Sequence, residues 1–417
     1  MAQKITLPNG VRIVHEKMPG MRSCTLGLWV ESASRHEPEE LCGISHYIEH
    51  MLFKGTQQHT AASLAAAFDA IGGQVNAFTT KEHTCYYCRT LDTHLDKAAQ
   101  LLCDMFFHSA FRERDMDLER QVILEEIGMY EDTPEDLAGE ILTAAVYGGQ
   151  SLGRPILGTP DTLRRMTGQT LRDYLARCYT APGTVVALCG SYTDGDLAML
   201  AERFGGMSAS PAPQCPPAQY RQSLVTRAKD IEQNHLMLFF PGLAAGSERR
   251  YDMQVLNNAL GGGMSSRLFQ KVREESGLCY SVYSFVSSYA GTGVTAVYTA
   301  LSASTELQAL ALIRGEIGRL VCDGLTQEEL SRSVEQLKAN VVMGLESTSS
   351  RMMSLARSEM TYGHEQTPED IIAGFDAVTR ESVTELARQV LDYSRVSLSA
   401  VGQVKDEQAY LAALHEK

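Results

Sequence analysis

Two stretches, LARCYTAPGTVVALCG over 175–190 and LARQVLDYSRVSLSAVG over 386–402, decide how this chain is built. Each reads as the end of a helix, then a turn, then a strand that stops at a glycine. The closing residues, Gly190 and Gly402, are 212 positions apart. The same spacing separates LERQVILEEI at Leu118 from LSRSVEQLKA at Leu330. Two agreeing offsets point to an internal duplication. Between the copies, MSASPAPQCPPAQ (207–219) holds four of the thirteen prolines, so it reads as an extended connection without a core of its own. The expected division is a first half over 1–206, a Pro-rich linker over 207–222 and a homologous second half over 223–417.

Working outward, the chain opens with a hairpin signal: Ile5 to Leu7 and Val11 to His15, joined at Pro8-Asn9-Gly10. Strand-like runs at Gly27–Val30, Val75–Leu91 and Thr184–Cys189 surround helical patterns near Ile44–Leu52, Ala62–Ile71, Leu95–Phe106 and Asp115–Tyr130. Helices in runs beside hairpin-linked strands predict an α+β fold. A doubly wound parallel sheet would need strict alternation.

Composition narrows the function. Hydrophobic residues make up 44% of the 417 and charged residues 21%, enough for more than one core. The formal net charge is −14 with no basic stripe, which argues against nucleic acid as a partner. No run approaches the ~20 apolar residues that span a bilayer, so no membrane association is expected. The N-terminal residues lack the apolar core of a signal peptide. Ten scattered cysteines then suit reduced thiols in a cytoplasm. Cys85 and Cys88 fall on a strand, where residues three apart face opposite sides, so they read as neither a metal pair nor a redox pair.

The sharpest chemical signal is His46-Tyr47-Ile48-Glu49-His50. Ile44, Ile48, Met51 and Leu52 follow helical spacing, which places His46 and His50, four apart, on one face. Two imidazoles can then share an ion. Glu49 is too close to His50 to join the ligand set easily, but a carboxylate beside activated water is suited to be its base. A catalytic zinc takes three protein ligands. The acid-rich helix near 115–130 offers Glu119, Glu125 and Glu126. Glu119 and Glu126, two turns apart on one face, could supply a ligand and a carboxylate orienting a ligand histidine. Spacing alone does not choose between Glu125 and Glu126.

The run HYIEHMLFKGT (His46 to Thr56) inverts the H-E-x-x-H motif and resembles the pitrilysin, insulinase and mitochondrial processing peptidase family of inverzincins, in its bacterial processing-peptidase-like branch. The resemblance implies Glu126, 76 residues beyond His50, as third ligand to Zn2+, with Glu119 as the helper carboxylate and Glu49 as catalytic base. Gly72 to Thr79 resembles the family's substrate strand, with Asn76, Ala77 and Phe78 meeting the peptide. GGGMSSRLFQKVREESGLCYSVYS (Gly261 to Ser284) places Arg273 and Tyr280 where the family carries substrate-contacting residues. At the offset of 212, His46, Glu49, His50 and Glu126 become Asn258, Gly261, Gly262 and Lys338, so only the first half should hold metal.

What the resemblance implies as a whole is a zinc endopeptidase for peptides and unfolded segments. Each half would be a mostly antiparallel sheet with helices on one face. Two chains would enclose a clamshell chamber, as a homodimer or as a heterodimer with an inactive relative. A silent subunit of the same fold, or a zinc hydrolase with a non-peptide substrate, is the alternative.

Overall fold

The structure, a computed structural model, describes residues 2–415. Its strands form two sheets. The first contains β1 (Gln3–Thr6), β2 (Arg12–Lys17), β3 (Ser23–Val30), β4 (Gln74–Thr79), β5 (Thr84–Leu91) and β6 (Thr184–Gly190), in the order β1-β2-β6-β3-β5-β4. The second contains β7 (Leu224–Ala228), β8 (Gln233–Pro241), β9 (Cys279–Tyr289), β10 (Thr292–Ser302) and β11 (Ser397–Gly402), in the order β7-β11-β8-β10-β9. Only β2–β6 and β7–β11 are parallel. The fold is α+β with mostly antiparallel sheets.

The duplication is visible element by element. The order β2-β6-β3-β5-β4 repeats as β7-β11-β8-β10-β9. The helices Gly168–Cys178 and Arg380–Val390 stand 212 residues apart at both ends. Each is started by a threonine cap, Thr167 or Thr379, whose hydroxyl accepts the N–H three residues on.

The strand-like run expected over Val75–Leu91 is two strands. Thr80 closes a turn by accepting N–H bonds from Glu82 and His83 on its hydroxyl, and β4 folds back antiparallel on β5. Cys85 and Cys88 do face opposite sides of β5, each in a different apolar cluster.

The chain divides into two compact units that do not follow chain order. One comprises Met1–Ile127, Arg154–Pro216 and Val342–Thr367; the other comprises Gly128–Gly153, Pro217–Val341 and Pro368–Lys417. The physical reason lies in the strands. β6 is buried along its whole length, as is β11, so both faces of each sheet need apolar cover. In the first unit, Ile13, Leu26, Leu28, Tyr86, Val186 and Leu188 pack under the helices of that half. The opposite face, with Val14, Trp29, Val185 and Ala187, is closed by Met352, Leu355 and Ala356 of the Thr348–Tyr362 helix. In the second unit, Met237, Phe239, Ala296 and Tyr298 are closed by Leu137, Ala138, Leu142 and Val146 of the Pro134–Val146 helix. These two helices occupy corresponding places in the two halves, so the exchange is reciprocal. Each large side chain so covered contributes about 1.5–3 kcal/mol. The sequence pattern does not anticipate the exchange.

Candidate metal centre

The first-unit helix Ile44–Leu52 is held at its start by two devices. Gly43 adopts φ 94°, and a Cβ there would meet the Cα of Gly158 at 2.6 Å, so the close approach of the two glycines demands that neither has a side chain. The buried Glu37 carboxylate accepts the N–H groups of Gly43 at 2.7 Å and Ser45 at 2.8 Å, two of the donors a helix start leaves open. Tyr47 donates its hydroxyl to the carbonyl of Met116 at 2.6 Å and so locks this helix to the Glu113–Asp132 helix.

That lock brings the candidate ligands together. Glu126 Oε2 lies 3.6 Å from His46 Nε2 and 3.6 Å from His50 Nε2. Ligand atoms about 2.1 Å from a tetrahedral ion lie about 3.4 Å from one another, so this spacing fits zinc. Glu126 Oε2 is buried without a hydrogen-bond partner, a cost that a cation at this point removes. Glu125, the neighbour that spacing leaves equally eligible, is exposed. Among the described residues, His46, His50 and Glu126 are the group of three or more such side chains gathered closely enough to hold an ion.

Electrostatics prepare the donors. Burial, then the neighbouring His50, pushes the pKa of His46 down to about 3, which keeps its ring neutral and able to ligate. Burial raises Glu126, and Glu119 adds to the rise against the pull of His50; an ion would reverse that direction. Burial also pulls Glu119 upward, but hydrogen bonds from His50 and Lys54 outweigh it and hold its pKa low. An ionised Glu119 can only accept, so His50 Nδ1, 2.7 Å away, donates. The lone pair of His50 is thereby left on Nε2, facing Glu126. Lys54 Nζ holds the other Glu119 oxygen at 2.6 Å.

Glu49 is raised by burial, opposed by a hydrogen bond from Thr79. A raised carboxyl suits a group that must take and release a proton. Asn76, Ala77 and Phe78 lie on β4, the edge strand, which pairs on one side only, with β5. Asn76 is exposed, and Phe78 packs edge-on against Trp29 with ring centroids 5.4 Å apart. Arg273 and Tyr280 belong to the second unit and meet each other. The Arg273 guanidinium sits 5.3 Å from the ring centroid of Tyr280, which is 76% exposed. At the positions equivalent to the candidate ligands, Asn258 lies beside Gly262 and Lys338 pairs with Glu335 and Asp376. Lys54, Tyr47, Thr79 and Glu37 escape sequence reasoning, although the first three lie inside the quoted motifs.

Comparison with known proteins gives the family. Residues 12–160 match the model of the insulinase family (peptidase family M16), and residues 165–337 match the M16 inactive domain. A Bacillus subtilis protein described as the uncharacterized zinc protease YmxG is 44% identical over 97% of this chain and 100% of its own length. The chain belongs to the M16 peptidase family. A second M16 relative, an uncharacterized zinc protease of Streptomyces coelicolor, is 41% identical over 99% of this chain and 92% of its own. Among solved structures, an M16 inactive-domain protein from Pseudomonas fluorescens superposes with TM-score 0.91 over 97% of this chain and 98% of its own, at 20% identity. A protease from Helicobacter pylori gives 0.88 over 96% and 99%, at 19% identity. At those identities the likeness shows the fold. The candidate ligands His46, His50 and Glu126, with Glu49, fall in the first matched segment of this M16 chain, Arg273 and Tyr280 in the second. Among the described residues, no helix is long and apolar enough to cross a membrane.

Proposed function

We propose that this M16 chain is a zinc-dependent endopeptidase. The observation that carries the reading is the convergence of His46 Nε2, His50 Nε2 and the orphaned Glu126 Oε2, with the Glu49 carboxyl on the same short helix. His46, His50 and Glu126 would hold zinc, which when bound acidifies water and polarises a carbonyl. Glu119 keeps His50 in the ligating tautomer. Strand β4 receives the peptide by backbone hydrogen bonds along its open edge, with Asn76, Ala77 and Phe78 against it. Glu49 takes a proton from the attacking water as its oxygen bonds to the scissile carbonyl carbon. Glu49 then gives that proton to the amine nitrogen as the carbon–nitrogen bond breaks.

Arg273, half-buried, and the exposed Tyr280 ring beneath its guanidinium suit contact with substrate near the reacting carbonyl. We further propose that two chains assemble around a chamber and that this pair serves the zinc site of the partner chain. Ten free cysteines, seven of them buried, accord with work in a reducing cytoplasm.

The test is hydrolysis of a quenched fluorescent peptide library by wild type and Glu49→Gln, with bound zinc measured in both. Cleavage by wild type alone, with equal zinc in the two, is the expected result. A wild type that binds no zinc when supplied with it sinks the proposal.

A further inference from the structure

We infer that Thr79 is the positioning residue for Glu49, and that it ties the catalytic base to the strand that carries the substrate. This rests on the peptidase reading above and goes beyond it by naming what holds the base.

Thr79 Oγ1 donates to Glu49 Oε2 at 2.5 Å. It is the hydrogen-bond partner of the Glu49 side chain among the described residues. One carboxylate oxygen is therefore held and the other is left to accept a proton. A glutamate has three rotatable side-chain bonds, so without a partner its carboxylate samples several directions. A base aimed at a water must hold one of them, since misplacement by an ångström costs rate steeply.

The donor is itself fixed. Thr79 is the last residue of β4, opposite Thr84 of β5. The preceding Phe78 is clamped between the rings of Trp29 and Tyr87, at 5.4 Å and 6.4 Å. Behind it, the Trp29 indole N–H reaches Met352 Sδ at 3.3 Å, on the helix that covers the sheet. A chain of packed groups therefore runs from the back of the sheet to the carboxylate. Because the same strand presents the open edge to a peptide, any shift of β4 on binding moves the donor that aims the base. Substrate register and base orientation are coupled through one hydroxyl.

Thr79→Val keeps the shape and removes the donor; Thr79→Ser keeps the donor. Steady-state kinetics, zinc content and crystal structures of the zinc-loaded forms test the inference. Thr79→Val should lose tenfold or more in kcat with KM and zinc content unchanged, and its Glu49 carboxylate should turn away from the wild-type position. Thr79→Ser should retain most of kcat. An unchanged kcat or an unmoved Glu49 in Thr79→Val overturns the inference. So does a serine variant as impaired as the valine, or a loss of zinc in both, because a merely structural role would produce either. If wild type cleaves no peptide, the peptidase reading fails by itself. The position of Glu49 in wild type and Thr79→Val then still decides whether Thr79 holds it.

Discussion

Glu119 Oε1 and His50 Nδ1 stand 2.7 Å apart, and the second oxygen of the same carboxylate is held by Lys54 at 2.6 Å. Glu119 is thus fixed from two sides and itself fixes the imidazole. Replacing it with glutamine weakens the acceptor and frees the ring. We expect zinc affinity to fall about 10–100-fold, measured by competition with a chromogenic chelator, while the apo-protein keeps its thermal midpoint. Unchanged affinity would remove Glu119 from the site.

Sharing between chains has a simple test. Glu49→Gln chains lack a base but have Arg273 intact; Arg273→Ala chains have the reverse defect. After subunit exchange, half of the dimers are mixed and each mixed dimer holds one complete site if Arg273 acts in trans. Activity should return to about a quarter of the wild-type rate. No recovery, with exchange verified by differently tagged chains, would mean that Arg273 does not serve the partner.

The buried Glu37 at the start of the Ile44–Leu52 helix makes stability depend on pH. Burial raises its pKa to about 7, opposed by the N–H bonds from Ser45 and Gly43. The folded state therefore holds a proton that the unfolded state has already released, over the window from about 4.5 to 7. Stability from this group is present at the acid end and is lost as pH rises through that window. In metal-free protein, the thermal midpoint of wild type should fall more between pH 5 and 8 than that of Glu37→Gln. Parallel profiles would show that Glu37 does not titrate in this way.

The exchanged helix can be probed through the single tryptophan of the chain. Met352 is fully buried against Trp29. Met352→Ala opens a cavity on the back of the first sheet and should cost about 2–5 kcal/mol in denaturant unfolding followed by Trp29 fluorescence. A loss below about 1 kcal/mol would mean that the helix contributes little there.

The sequence by itself determined what depends on spacing along one element. Period and turn residues identified the α+β class, and a common offset revealed the duplication. Helical spacing placed His46 and His50 on one face, and pairing Glu49 with them followed at once. Strand alternation separated Cys85 from Cys88. In each case the deciding geometry is set by the 3.6- or 2-residue repeat of a single element. The tertiary structure alone decided what depends on which elements meet. Glu125 and Glu126 are neighbours on one helix, and only the Tyr47–Met116 contact and the packing around Met116 and Ile123 turn Glu126 inward and leave Glu125 in solvent. Thr79 and Lys54 gain their partners from strand and helix placement. The exchange of the Pro134–Val146 and Thr348–Tyr362 helices follows from two sheets that are apolar on both faces. A one-dimensional pattern records that such faces need cover but not which helix supplies it, because burial of apolar surface is non-directional.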